Sequence, residues 1–262
     1  MISWHQSAMD FADPQQRRIF FELHSGLPRE GPGNRDSTAR ALAMAQPLPP
    51  APRVLDIACG PGMQTLDLAD LLPDAQIVAV DLHEPFLEAL RQRAAAAGAA
   101  SRVEALRADM AALPFAPGSF DLIWCEGAAY IMGVGNALRT WRPLLRPDGK
   151  LALTEAVWLK PGAPEPVQRA FAEYPAMSGV EAKRRLVADC GYDLLGDFIL
   201  PERAWWDNYY APMEERLADL LQKYTGDSVA TAVLAENREE IELFKLHSGY
   251  YGYVFLVTAR SR

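Results

Sequence analysis

The stretch Val54-Leu-Asp-Ile-Ala-Cys-Gly-Pro-Gly62 decides how the rest of the chain is read. A short apolar run of strand length ends in a Gly-x-Gly turn, and a helix-forming segment begins at Met63. Gly60 and Gly62 carry no Cβ, so the backbone there can come close to a ligand and adopt positive φ. In an open α/β sheet such a loop sits at the carboxyl end of the first strand, where strand order reverses and ligands bind. The helix that follows presents unpaired N–H groups and the positive end of its dipole. Strand, glycine loop and helix together predict a nucleotide-type site.

Outward from this stretch the pattern alternates. Arg53–Ala58 reads as a strand and Met63–Leu72 as a helix stopped by Pro73. Strands follow at Ala75–Val80, Val103–Ala108, Phe120–Trp124 and Lys150–Val157, with helices at Pro85–Ala97 and around Asn136–Leu145. Arg146-Pro-Asp-Gly149 is a turn before the fifth strand. Alternation of this kind predicts βαβ units, a mostly parallel sheet and helices on both faces. Upstream, Gln46-Pro-Leu-Pro-Pro-Ala-Pro52 holds four prolines in seven residues, which no helix tolerates. Residues 1–45 before it read as an amphipathic helical segment, broken at Gly31-Pro-Gly33, with Ser37 or Asp36 as cap of the helix running to Met44.

Residues 46–262 then form the main domain. Helices are expected at Pro164–Tyr174 and Val180–Asp189, and strands at Tyr192–Leu200 and Tyr250–Thr258. About 45 residues separate the last two strands, far beyond the usual connection of roughly 2–6. Residues 202–247 are therefore read as an inserted helical cap.

The chain has 262 residues and a net charge of −8, which argues against a nucleic-acid groove because that needs a positive field. No run of about 18 apolar residues predicts a membrane span. Met1-Ile-Ser-Trp-His5 lacks the basic start and apolar run of a signal peptide. Cys59, Cys125 and Cys190 form no metal-like spacing, which predicts reduced thiols, a cytoplasmic protein and no metal.

Two common nucleotide fingerprints fit poorly. A dinucleotide loop wants glycine or alanine where Thr65 stands, and no Gly-Lys-Ser/Thr triplet exists for a P-loop. Asp56, four residues before Gly60, instead suits a ligand with a cationic group. The string Leu55–Gly62 resembles motif I of class I S-adenosylmethionine-dependent methyltransferases. Further stretches match that family in order and spacing: Ile77-Val-Ala-Val-Asp81, Arg107-Ala-Asp-Met110, Phe120-Asp-Leu-Ile-Trp-Cys-Glu-Gly127 and Leu144-Leu-Arg-Pro-Asp-Gly149. The resemblance covers about residues 50–160. It implies a Rossmann-like sheet of seven strands, mostly parallel, with the last antiparallel.

The resemblance also implies a donor site. Asp81 would take the ribose hydroxyls, Asp109 the adenine amino group, and the Met110 N–H the ring. Asp56, Ala58, Gly60, Gly62, Gln64, Leu82 and Cys125 would complete the cofactor's surroundings. Ala58 and Cys59 stand where many members carry glycine and another residue. The wider chain is similar to bacterial small-molecule methyltransferases, relatives of the ubiquinone and menaquinone C-methyltransferases. Phe20-Phe-Glu-Leu-His24 and Pro28-Arg-Glu-Gly-Pro-Gly33, paired with Tyr250-Tyr-Gly-Tyr253, resemble a bacterial subgroup of that family.

Methyl transfer from an activated donor needs positioning and a route for a proton. Glu126, after the fourth strand, is the leading candidate for a polar group near the methyl; contact with the donor's amino group is the alternative. His24 is a candidate base at neutral pH, against a packing role. His83, two residues after Asp81, is expected at the adenosine edge. Tyr130 is placed to wall the acceptor pocket. Trp205, Trp206, Tyr209 and Tyr210 are either acceptor walls or the core of the cap.

The amino-directed DNA methyltransferase string and the paired-glutamate loop of the arginine methyltransferases are both missing. The expected activity is methyl transfer from S-adenosylmethionine to a small molecule. The alternatives are an NAD-dependent oxidoreductase and a non-catalytic S-adenosylmethionine-binding protein. No membrane or nucleic-acid partner is expected, and the oligomeric state is open, a homodimer included.

Overall fold

A computed structural model of the chain describes residues 12–261. The first eleven residues of the expected N-terminal segment, Met1–His5 among them, lie outside the described residues. Two helices precede the sheet: α1 (Pro14–His24) and α2 (Arg35–Met44). The side chain of Asp13 accepts from the N–H groups of Gln15 and Gln16 at the start of α1. Asn34 caps α2 by accepting from the Ser37 N–H at 2.9 Å. The cap is thus neither Ser37 nor Asp36, because only Asn34 has the extended backbone that aims a side chain back at the first turn.

The alternating region supplies β1 (Arg53–Ile57), α3 (Met63–Leu71), β2 (Gln76–Asp81), α4 (Glu84–Ala96), β3 (Val103–Arg107), β4 (Phe120–Glu126), α5 (Val134–Trp141) and β5 (Leu145–Trp158). Then come α6 (Glu165–Ala170), β6 (Ser178–Gly179), α7 (Val180–Asp189) and β7 (Tyr192–Ile199). The cap begins with a short turn, α8 (Arg203–Trp205), continues as a π-helical turn over Trp206–Tyr210, and ends with α9 (Ala211–Lys223) and α10 (Ser228–His247). The last strand is β8 (Tyr251–Arg260).

Seven strands follow one another in the order β3-β2-β1-β4-β5-β8-β7, and the two-residue β6 pairs with β5 off that path. β1 to β5 pair in parallel, and β8 runs antiparallel to both β5 and β7. The order reverses at β1, which lies between β2 and β4. β5 starts earlier than the turn at 146–149 suggests. Leu145 pairs with Phe120 before an irregularity and Lys150 with Leu122 after it, so that turn is a kink within the strand, with Asp148 at φ +63°. α6 stops at Ala170 rather than Tyr174. The Tyr174 hydroxyl instead donates to Glu155 Oε1 at 2.6 Å beside β5.

Alternate residues of each strand face opposite layers. Val54, Ile77, Trp124, Ala152, Phe255 and Val257 share a core with α1, α2, α3, α9 and α10. Leu55, Val78, Ile123, Leu153 and Leu256 pack against α5 and α7. The cap helices therefore continue the core of one sheet face.

Candidate active site

The glycine loop bends through three left-handed residues: Ala58 at φ +56°, Gly60 at +53° and Gly62 at +87°. Alanine in this region carries a strain that glycine does not. Asp56, fully buried under the loop, accepts from Thr65 Oγ1 at 2.5 Å and Gln64 Nε2 at 3.3 Å. Gln64 also donates to the Cys59 carbonyl at 2.8 Å. Burial pushes the Asp56 carboxyl up to about 7. Its second oxygen, Oδ1, has no hydrogen-bond partner.

Asp81 closes the other side of the loop. One carboxylate oxygen accepts from the Gly60 N–H at 2.9 Å and the other from the His83 N–H at 2.9 Å. The His83 ring is stacked on Phe21 of α1, with centroids 3.9 Å apart. Leu82 is exposed beside it. Asp109, after β3, accepts from the Ala111 N–H at 2.8 Å, and the Met110 carbonyl accepts from Trp141 Nε1 at 2.9 Å. Cys125 is buried on β4, facing the α5 layer.

Glu126 ends β4, and only 8% of it is exposed. Its Oε1 accepts from Trp124 Nε1 at 2.7 Å, and its Oε2 is paired with the guanidinium of Arg29. Arg29 belongs to the strap between α1 and α2, which crosses the mouth of the glycine loop. Arg93 of α4 anchors the strap backbone, donating to the Leu27 and Pro28 carbonyls at 3.0 and 3.1 Å and to Pro61 of the loop at 2.9 Å. At the far end the Gly33 N–H donates to the Ala204 carbonyl at 2.8 Å. Arg29, Glu30, Gly31 and Pro32 face Ala58, Cys59, Gly60, Gln64, Glu126 and Gly127 across a cavity of about 20 Å³. That is room for about one water.

His24 does not stand as a free base. It is buried, with Nδ1 2.7 Å from Glu30 Oε2 and Nε2 3.3 Å from Asn237 Oδ1 of α10. Both ring nitrogens are engaged, so His24 fastens the strap to the cap.

Trp205 and Tyr210 also depart from an acceptor-wall role, because both are core. Trp205 is stacked on Phe244 at 4.3 Å and meets Tyr253 at 5.1 Å. The Tyr210 hydroxyl donates to the buried Glu240 at 3.0 Å. Tyr209 is core as well, 3.4 Å from the same carboxylate and stacked on Tyr210 at 4.9 Å. Trp206, half-buried, packs at the edge of the same cluster.

At this end of the sheet Tyr130 and Tyr253 carried a sequence signal, whereas Glu155 and Lys183 carried none of their own. Tyr253 of β8 comes so close to Gly127 that a Cβ there would lie 3.1 Å from its ring. Tyr130 meets Tyr174 edge-on at 5.7 Å. Tyr174 in turn joins Glu155 to Lys183, whose ammonium is 3.5 Å from that buried carboxylate. Arg29 and Glu30 did have a signal, a charged pair locked between Pro28 and Pro32. Among the described residues no cluster of three or more His, Cys, Asp or Glu is placed to hold a metal, and no helix is long and apolar enough to cross a membrane.

Residues 54–149 match the family model of the methyltransferase domain. Among curated proteins the chain is 35% identical over 118 residues to a malonyl-[acyl-carrier protein] O-methyltransferase of Legionella pneumophila, covering 44% of this chain and 40% of that protein. It is 34% identical to a ubiquinone/menaquinone biosynthesis C-methyltransferase of Ectopseudomonas mendocina, covering 44% and 45%. The chain thus spans less than half the length of these relatives. Among solved structures, an S-adenosylmethionine-dependent methyltransferase from Geobacter sulfurreducens, in complex with S-adenosyl-L-homocysteine, superposes with a TM-score of 0.78. The two are 21% identical, and the match covers 92% of this chain and 97% of that one.

Fold and sequence match agree: residues 54–149 match a methyltransferase domain, and the chain has the fold of a solved S-adenosylmethionine-dependent methyltransferase. The residues present fit such a donor. The loop bends at glycines where a ligand must come close, a strand-end carboxylate stands beside it, and Asp56 and Glu30 each keep an unpartnered buried oxygen. Room for the donor depends on the side chains of the strap.

Proposed function

We propose that the protein transfers a methyl group from S-adenosylmethionine to a small-molecule acceptor bound beneath the helical cap. One observation carries this reading. Gly60 after β1, Asp81 at the end of β2 and Glu126 at the end of β4 come from three adjacent parallel strands and converge where strand order reverses. S-adenosylmethionine supplies a methyl already activated by its sulfonium, so the chain's own part is positioning, exclusion of water and handling of a proton.

Asp81 would take ribose hydroxyls with its remaining lone pairs. Asp109 and the Met110 N–H would meet the adenine edge. Ala58, Gly62, Leu82 and Cys125 would shape the walls, and Gln64 would hold the loop over Asp56. Glu126 would face the acceptor, orienting a nucleophile or receiving its proton. Tyr130 would wall the acceptor side, since an aromatic face suits a flat, small acceptor. The net charge of −8 supports a metabolite over a nucleic acid, and three free buried cysteines support a reducing, cytoplasmic setting.

Calorimetry with S-adenosylhomocysteine and with NAD tests the donor site. Binding of the first alone is expected, and binding of NAD alone would overturn the reading. Transfer of a labelled methyl group to members of a panel of small hydroxyl, amine and activated-carbon acceptors tests the reaction itself.

A further inference from the structure

The strap carries a buried cation with an unfinished set of partners. Arg29 is 3% exposed. One of its terminal nitrogens pairs with Glu126. The other, Nη1, has no hydrogen bond; Asp67 Oδ2 stands 3.8 Å away and has none either. Next along the strap, Glu30 gives one oxygen to His24 and leaves Oε1 buried without a partner. An unsatisfied buried donor or acceptor costs free energy, so each calls for an explanation.

Both residues line the cavity that opens on the glycine loop. An orphan guanidinium N–H and an orphan carboxylate oxygen on two successive residues of one cavity wall complement an α-amino-acid head group, which has one carboxylate and one ammonium. Arg29 is the strap cation placed to meet such a carboxylate, with a planar fork that matches it.

We infer that Arg29 is an exchangeable partner. It is paired with Glu126 in the closed arrangement and transfers to the amino-acid carboxylate of the donor, releasing Glu126 to face the acceptor. This rests on the donor site proposed above and adds a coupling to it, since the acceptor-side carboxylate becomes available only when the donor's head group is in place. Arg93 and the Gly33–Ala204 bond tie the strap backbone at both ends, which keeps Arg29 beside the glycine loop. Gly33 makes the closed pairing possible, because a Cβ at that position would run into both the Arg29 guanidinium and Glu126.

Two nucleosides separate the head group from the rest of the donor. S-adenosylhomocysteine has the amino-acid end, and 5′-methylthioadenosine lacks it. Calorimetry on wild type and Arg29→Ala should show S-adenosylhomocysteine affinity falling about 10- to 100-fold, the range for a hydrogen bond to a charged group. Affinity for methylthioadenosine should stay within about threefold. Glu126→Gln removes the competing anion and should raise the ratio of the two affinities several-fold.

Removing one partner of a buried pair can unfold a protein. The double variant Arg29→Met/Glu126→Gln leaves no unpaired charge between them and should lose the same preference for S-adenosylhomocysteine. An equal loss for both nucleosides, no loss, or tighter binding of both on removal of Arg29 would make the residue a structural latch and overturn the assignment. Wild type that binds neither nucleoside overturns the donor-site reading itself, and this inference with it.

Discussion

The glycine loop and the helical cap meet over the same few residues, but different kinds of tie hold them. In the loop, Gly60 N–H to Asp81 closes over 21 residues, Thr65 to Asp56 over 9, and Gln64 to Cys59 over 5. In the strap and cap, Arg29 reaches Glu126 across 97 residues. Arg216 of α9 donates to the Leu23 carbonyl of α1 across 193, and His24 meets Asn237 across 213. The loop is a local device that needs particular backbone angles. The cap is a tertiary one that needs a core and buried polar pairs. Damage to the first should therefore appear in ligand affinity, and damage to the second in stability.

The largest effect expected is in the cap. Trp205→Ala removes a ring only 2% exposed, packed against Phe244, Tyr210 and Tyr253. Truncation at such a site costs about 3–5 kcal/mol. Calorimetric melting should fall by about 10 °C or more, while the S-adenosylhomocysteine affinity of the folded fraction stays near wild type. A variant that melts normally but binds poorly would make Trp205 a ligand wall and break the contrast.

Gly60→Val comes next. The residue sits at φ +53°, and its Cβ would lie 3.2 Å from Glu30 Cγ. Backbone strain of order 1–3 kcal/mol adds to the branch entering the ligand's space, so S-adenosylhomocysteine should bind about 100-fold more weakly or worse. Normal binding in isothermal titration would remove the loop from the donor site.

Asp81→Ala should weaken S-adenosylhomocysteine by about 1.5–3 kcal/mol, and methylthioadenosine equally, since both carry the ribose. Arg29→Ala should affect only the first, so the two variants sharpen the comparison between sheet edge and strap. A selective loss with Asp81→Ala would contradict the ribose role.

The smallest effect is a slope. Burial raises Asp56 from an unperturbed 3.8 to about 7 and Asp67 from 3.8 to about 6. Between those limits the native protein holds protons that the unfolded chain has released. Their stabilisation is full below about pH 4 and is lost as pH rises through 6 to 7. Melting temperatures across pH 5–8 should therefore decline more steeply in wild type than in Asp56→Asn. Parallel curves would show that Asp56 titrates as an ordinary surface carboxylate.

Much of the sheet was legible because a strand buried on one face or both leaves its mark in consecutive residues. Val54–Ile57, Gln76–Asp81 and Phe120–Glu126 are such runs, each ending in loop chemistry that names the carboxyl edge. The start of β5 was not legible. A Pro-Asp-Gly turn and a kinked strand look alike until Phe120 is seen to pair with Leu145. Nor could residue type decide between ligand wall and core for the aromatic run at 205–210. A buried ring is attractive in both places, and only the presence of Phe244, Tyr251 and Tyr253 on the far side settles Trp205 as core.

The sequence by itself determined the order of strands and helices, the glycine loop and the acids at the strand ends. Each of these depends on backbone angles and periodicities set within a few residues. The tertiary structure alone decided which charges face one another. Arg29 with Glu126, Glu30 with His24, Glu155 with Lys183 and Glu240 with two tyrosines are pairs between distant elements. In water an isolated arginine or glutamate has no preferred partner. It acquires one when packing removes the solvent and leaves a single opposite group within reach.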